Sequence, residues 1–302
     1  MIQIKNILCP IDFFPASLKA YEYALKLAAH YKSGIFAVHI VSPIVPTAYD
    51  FPLNLSEYTG ALQKNSRLEF AKLGKKAEKL HVPFHSEVVI GSIDVEIHKA
   101  LKETKSDFVV MGTHGRRGFE RWLLGSEADR MLRSCPVPLL TLSGEKGARS
   151  APPAIRSILL TTDFSAGSSE ALKYAFSFAK ECGARLTLLH VVDEVMAESS
   201  VKSSLPTIDA VRLELEKLVP AEARSWCDVK TMVEVGVPYN TILAAQKARK
   251  ADLLIMNVHG KGLIDRALLG STAERVVRAA VCPVLLIPPA ARQGNRKPSR
   301  RK

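Results

Sequence analysis

Cysteine is scarce and never paired: Cys9, Cys135, Cys182, Cys227 and Cys282 are odd in number, widely spread and free of any C-x-x-C spacing. That excludes a disulfide framework and a cysteine-based zinc site, and leaves buried free thiols as the expectation. Long apolar runs are missing too. None approaches the roughly 18 residues of a transmembrane helix, so no membrane partner is expected. The opening stretch from Met1 to Pro10 runs out of apolar residues within about one strand length. That is no signal-peptide core, and the expected compartment is the cytoplasm. There is no P-loop, no G-x-S-x-G, no H-E-x-x-H and no H-x-E with C-x-x-C, which removes the commonest hydrolase and deaminase signatures. His81 and His85 flank Pro83, which keeps them off a shared helix face and discounts a metal site.

What is present is a chain of 302 residues, 47 % hydrophobic and 24 % charged, with a mean hydropathy of +0.06. This suits folded domains, about two by length. The net charge of +12 raises the question of a polyanionic partner. Its distribution answers in part: residues 1–150 carry +5, residues 151–290 carry +1 and residues 291–302 carry +6. The tail charge comes from Arg292, Arg296, Lys297, Arg300, Arg301 and Lys302, with no aromatic residue to stack on bases. A solvated, disordered tail is therefore expected, with no specific nucleic-acid partner.

The sequence also repeats itself. At an offset of 151, Ile7, Leu8, Asp12, Phe13, Ser17, Tyr23, Ala24 and His39 fall on Ile158, Leu159, Asp163, Phe164, Ser168, Tyr174, Ala175 and His190. At an offset of 145, Gly91, Asp107, Met111, His114, Gly115, Gly125, Ser126, Arg130 and Arg133 fall on Gly236, Asp252, Met256, His259, Gly260, Gly270, Ser271, Arg275 and Arg278. Units this long exceed a solenoid repeat and suit one domain each. The expected division is a first domain at 1–144, a linker at 145–154, a second domain at 155–289 and the tail at 290–302. Within copy one, short apolar strands at 4–9, 35–41, 83–90, 108–111 and 137–142 alternate with helical stretches at 54–80, 93–103 and 126–133. Continuous apolar strands separated by helices indicate a parallel sheet covered on both faces, with ligands bound outside the carboxyl ends of its strands.

Two features fall at such ends. Asp12 follows strand one in Cys9-Pro10-Ile11-Asp12, and Asp163 is its counterpart. A carboxylate there can accept from an adenine amino group or a ribose hydroxyl, and is equally suited to cap the following helix. After strand four comes Met111-Gly112-Thr113-His114-Gly115, then nine residues, then Gly125-Ser126. Glycines allow close approach of backbone to ligand, the helix opening at Ser126 offers free N–H groups to phosphate, and Arg116, Arg117 and Arg121 add positive charge. The competing reading is capping: Ser271-Thr272-Ala273-Glu274 has the spacing of a capping box, and Ser126 with Asp129 nearly so. His114 and His259 suit loop hydrogen bonding better than catalysis.

These motifs together, Pro10-x-Asp12-Phe13, Val38-His39-Ile40 and G-x2-G-x9-G-S, resemble the universal stress protein family in its tandem two-domain form, over about residues 1–144 and 155–289. The resemblance implies two tandem five-stranded parallel-sheet α/β sandwich domains of the adenine-nucleotide α-hydrolase-like, Rossmann-like kind. It implies an ATP-binding stress-response regulator, with Mg²⁺ as the accompanying cation where the phosphates need one. Pro10, Asp12 and Ile40 would face the nucleoside, and Met111, Gly112, His114, Gly115, Arg116, Gly125, Ser126 and Glu127 the ribose and phosphates. In copy two the matching set is Asp163, Val191, Asn257, Gly260, Gly270, Ser271 and Thr272. The strands at 137–142 and 283–288 would be the edges that join the copies into an internal pseudo-dimer, and homodimers are expected.

Copy two departs from the pattern at Asn257, which stands where the first glycine is expected. Asparagine tolerates a left-handed backbone, but its side chain takes space a ribose needs. In copy one, Glu127 places a carboxylate beside the phosphate loop, where it stabilises an empty helix N-terminus and repels a triphosphate. Copy one is the expected nucleotide site. Efficient turnover is not expected, since nothing in the loop beyond arginines and a histidine suits phosphoryl transfer; slow hydrolysis or self-phosphorylation is the most that fits. The alternative is a nucleotide-free interaction scaffold with vestigial pockets.

Overall fold

The computed structural model describes residues 1–41, 55–113, 126–142, 154–165, 168–193, 207–258 and 270–288. Copy one runs β1 (Asn6–Pro10), α1 (Pro15–Tyr31), β2 (Gly34–Val41), α2 (Leu55–Glu78), β3 (Phe84–Ile90), α3 (Ile93–Glu103), β4 (Phe108–Gly112), α4 (Ser126–Ser134) and β5 (Leu139–Leu142). Copy two runs β6 (Ser157–Thr161), α5 (Ser168–Cys182), β7 (Arg185–Val192), α6 (Ile208–Lys217), a 3-10 turn at Ala221–Ser225, β8 (Val229–Val235), α7 (Pro238–Ala248), β9 (Leu253–Asn257), α8 (Ser271–Ala279) and β10 (Val284–Ile287). The first strand begins at Asn6 rather than Ile4, and the fifth at Leu139 rather than Val137, because pairing with the neighbouring strand starts there.

The ten strands among the described residues form one sheet in the order β3-β2-β1-β4-β5-β10-β9-β6-β7-β8. Within each copy the pairing is parallel, with the reversal of strand order between the first and fourth strands. The copies meet where β5 and β10 pair antiparallel, Leu140 opposite Leu285. These are the two edges expected from sequence to join the copies. The central strands are apolar because helices cover both faces: β4, β5, β9 and β10 each present four buried residues in a row, whereas the edge strands β3 and β8 carry polar, exposed residues. One apolar layer lies under α1, α2 and α5, and the other under α3, α4, α7 and α8.

The seam is held on both faces. Beneath α1 and α5, the Tyr31 and Phe178 rings meet edge to face at 6.0 Å, and His30 Nε2 lies 3.6 Å from Glu181. Those last two residues occupy the same position in the two copies, so the pseudo-twofold axis brings unlike groups together. Beneath α4 and α8, Arg133 pairs with Glu274 at 3.5 Å. At the amino ends of the strands, Asp107 accepts from the N–H groups of Lys5 and Asn6, and Asp252 does the same for Arg156 and Ser157. The repeat of these aspartates is therefore structural. All five cysteines are buried and free, as expected. Among the described residues no helix is long and apolar enough to cross a membrane.

Candidate functional site

At the end of β1 the chain makes a tight turn that copy two reproduces. Ile11 N–H donates to Val38 O at 2.8 Å, carrying the strand ladder one residue past β1. Phe13 then adopts a left-handed φ of 64°, as does Phe164 at 58°. A bulky aromatic in that region costs roughly 1–3 kcal/mol, so packing must hold it there. The Phe13 ring lies 4.9 Å from the His39 ring and 5.1 Å from Phe70, and Phe164 lies 4.5 Å from His190. Each histidine is fixed by its Nδ1–H donating to a backbone carbonyl of the preceding strand, Ile11 at 2.7 Å or Thr162 at 2.8 Å. Carbonyl acceptors set the tautomer. No sequence pattern announced this Phe-over-His lock, although its four residues were visible in the repeat.

The turn aims the aspartates. Asp12 Oδ1 accepts from Phe14 N–H at 2.9 Å and from the Ser17 hydroxyl at 2.5 Å. Its Oδ2 takes no hydrogen bond among the described residues. Asp163 Oδ1 likewise accepts from Ser165 N–H at 3.0 Å and the Ser168 hydroxyl at 3.2 Å. Asp12 is not the helix cap: the N-cap of α1 is Phe14, with no side-chain cap, followed by Pro15. Its carboxylate is held by the turn with one oxygen left at the carboxyl end of β1, beside the switch point between β1 and β4. Pro10 closes β1, Ile40 and Val191 are partly buried at matching positions near the ends of β2 and β7, and the Met111 side chain is buried in the core, so only its backbone is available to a ligand.

The ends of β4 and β9 differ. A Cβ on Gly112 would stand 2.7 Å from Ala16 C, 2.9 Å from Ala16 O and 2.9 Å from Ser17 N, so the first turn of α1 lies directly on this glycine. Its φ is not left-handed, nor is that of Asn257. The expectation that asparagine serves here by tolerating a left-handed backbone is thus corrected: the position demands lack of bulk, not positive φ. Copy two accommodates the added amide differently. Asn257 Nδ2 donates to the Ser168 hydroxyl at 3.1 Å and lies 3.4 Å from the Ser165 hydroxyl. The amide, Asp163 and the two serines form one hydrogen-bonded cluster at the end of β6 and β9.

A second correction concerns α8. Gly270 is its N-cap, Ser271 and Thr272 lie in the first turn, and no side chain caps it. Glu274 does not reach back as a capping box requires, because its carboxylate is held by Arg278 at 2.7 Å and by Arg133 across the seam. Gly270 N–H donates to Val258 O at 3.0 Å, which brings the helix N-terminus back to the end of β9. Ser126 and Glu127 open α4, with their side chains outside the described set. His114, Gly115, Arg116, Gly125 and Gly260 lie outside the described residues, as do most of the linker and the tail. No group of three metal-ligating side chains occurs among the described residues.

Burial rather than charge dominates the titrating groups. It pushes the Cys282 thiol up to about 12 and Cys182 up to about 11, the latter helped by Glu181. These thiols are inert core residues.

A doubly wound parallel sheet, duplicated, with matched aspartates at the ends of the first strands, defines a tandem Rossmann-like α/β protein. The model of the universal stress protein family matches residues 3–143 and 154–288, and the chain belongs to that family. A universal stress protein of Methanocaldococcus jannaschii is 37 % identical over 138 residues, covering 44 % of this chain and 81 % of its own length. One from Mycolicibacterium smegmatis is 26 % identical over 299 residues, 94 % of this chain and 97 % of its own. Among solved structures, a universal stress protein from Archaeoglobus fulgidus superposes with a TM-score of 0.74 at 24 % identity, over 95 % of this chain and 97 % of the other.

Proposed function

We propose that the protein is a stress-response regulator that binds one adenine nucleotide, ATP, at the carboxyl end of the copy-one sheet, without efficient turnover. The carrying observation is the contrast between the two switch points. In copy one a turn-fixed carboxylate, Asp12, keeps Oδ2 without a hydrogen bond among the described residues. In copy two the Asn257 amide bonds the serine that holds Asp163 and ties the aspartate into a closed cluster, whereas at Gly112 that place is taken by the first turn of α1. The residues of copy one fit such a ligand: Asp12 would accept from the nucleoside, Ile40 would line its apolar side, and the loop from Gly112 to Ser126, with Gly115, Arg116 and Gly125, would take the ribose and phosphates. Bound ATP would bring a polyanion, with Mg²⁺ as counter-charge, to a helix N-terminus suited to it.

Isothermal titration of the full chain with ATP and Mg²⁺ tests this reading. One site per chain is expected, weakened at least tenfold by Asp12→Ala and unchanged by Asp163→Ala. Absence of heat, together with no adenine released from denatured protein, would leave the interaction scaffold with vestigial pockets as the standing account.

A further inference from the structure

The ten-stranded sheet ends in β3 on one side and β8 on the other, and no strand pairs with either outer edge among the described residues. An edge strand presents unpaired N–H and C=O groups that template another strand unless something prevents it. The two edges are related by the internal repeat, Phe84-His85-Ser86-Glu87-Val88-Val89-Ile90 against Val229-Lys230-Thr231-Met232-Val233-Glu234-Val235. They have diverged in the charges that stand opposite each other when each pairs with its own copy in full overlap.

Hydrogen bonding fixes which residues face outward. Leu186 N–H donates to Asp228 O and Gly236 N–H donates to Val192 O, so even-numbered residues of β8 bond to β7 and odd-numbered ones face the free edge. On β3 the bonds from Ile35 N–H to Pro83 O and from Gly91 N–H to Val41 O turn odd-numbered residues inward and even-numbered ones outward. Two copies of one edge can join antiparallel about a twofold axis only if outward residues face each other. For β8 the fully overlapped register centres on Met232: Thr231 pairs with Val233 of a second copy, and Lys230 stands opposite Glu234 in both halves. These are close, non-hydrogen-bonded pairs, about 4.5 Å between Cα atoms, on the face shared with Met232. For β3 the same construction centres on Glu87, which sets two like charges against each other on the axis.

We propose that β8 is a self-complementary edge through which two copies of this chain associate, favoured over β3, whose fully overlapped register sets Glu87 against Glu87. Lys230 and Glu234 are exposed and mirror each other about Met232, so they favour one register; sliding by two residues sets Glu234 against Asp228. Apolar surface flanks the edge. Val235 is 44 % exposed, Val237 43 %, and Leu213, on the helix packed against β8, 63 %. The product is an isologous dimer with a twenty-stranded sheet.

Sedimentation velocity of the full chain over a concentration series tests the proposal. A concentration-dependent dimer is expected. Lys230→Glu and Glu234→Lys alone each turn two attractive pairs repulsive and weaken it about tenfold or more, and the exchange K230E/E234K restores it. Glu87→Lys leaves it unchanged. Both β8 side chains are exposed, so native circular dichroism should persist in every variant, and the outward amides of Thr231 and Val233 should exchange more slowly in the dimer. A chain that stays monomeric throughout, single substitutions without effect, or an exchange variant that fails to restore the dimer would each overturn it.

Discussion

At the end of β4, Gly112 lies beneath the backbone of the first turn of α1; at the end of β9, Asn257 fills the equivalent place with an amide bonded to Ser168. Everything around the two positions is alike: the strained phenylalanine, the histidine beneath it, the aspartate bonded to a serine five residues on. A duplicated frame can therefore hold its turn and still change what stands at the switch point.

The strongest way to break that contrast is Gly112→Asn. The backbone of Ala16 and Ser17 lies directly on this position, so overpacking should cost about 3 kcal/mol in a urea titration and abolish nucleotide binding. The reverse change, Asn257→Gly, loses a hydrogen bond and gains unfolded-state freedom, and should cost about 1–2 kcal/mol. Under the proposed function it also raises the titrated stoichiometry from one nucleotide per chain to two. A stoichiometry that stays at one would assign the block in copy two to something other than the amide.

A milder test uses the helix ends. Lys32 caps α1 with a φ of 56°, and its counterpart Gly183 does the same for α5 at 59°. Lys32→Gly should stabilise by about 1 kcal/mol and Gly183→Ala should destabilise by a similar amount, read as opposite shifts in Tm. The smallest effect concerns Cys182, at the position that Tyr31 holds in copy one. Its folded pKa of about 11 lies above the ordinary thiol value of 9.0, so the stability it contributes is full below pH 9 and lost as pH rises through 11. A thiol reagent at pH 8 should label it far faster in denaturant than in the native chain.

Much of this was legible beforehand. The offsets of 151 and 145 located both copies, the unbroken apolar runs announced a parallel sheet covered on both faces, and α3 spans the residues its spacing predicts. The capping box at Ser271 was misread because Glu274 sees Arg278 one turn later and Arg133 from the other copy, and local spacing carries no information about a partner across a seam. Gly112 was read as letting a ligand approach the backbone closely; what approaches it is the first turn of α1, and only the helix lying on it shows this. The Phe13 strain was invisible for a similar reason: nothing local favours it, and His39 and Phe70 impose it from distant strands and helices.

By itself, then, the sequence determined the duplication, the strand and helix order, and the residues that stand at the strand ends, because hydrophobic periodicity and repetition are properties of the chain alone. The tertiary structure decided the antiparallel seam as realised, the unlike pair His30 and Glu181 on its axis, the use of Gly112 as a place for α1 to rest, and the outward-facing residues of β8. Each of these depends on which surfaces meet, and that is fixed only when the two halves close on one sheet.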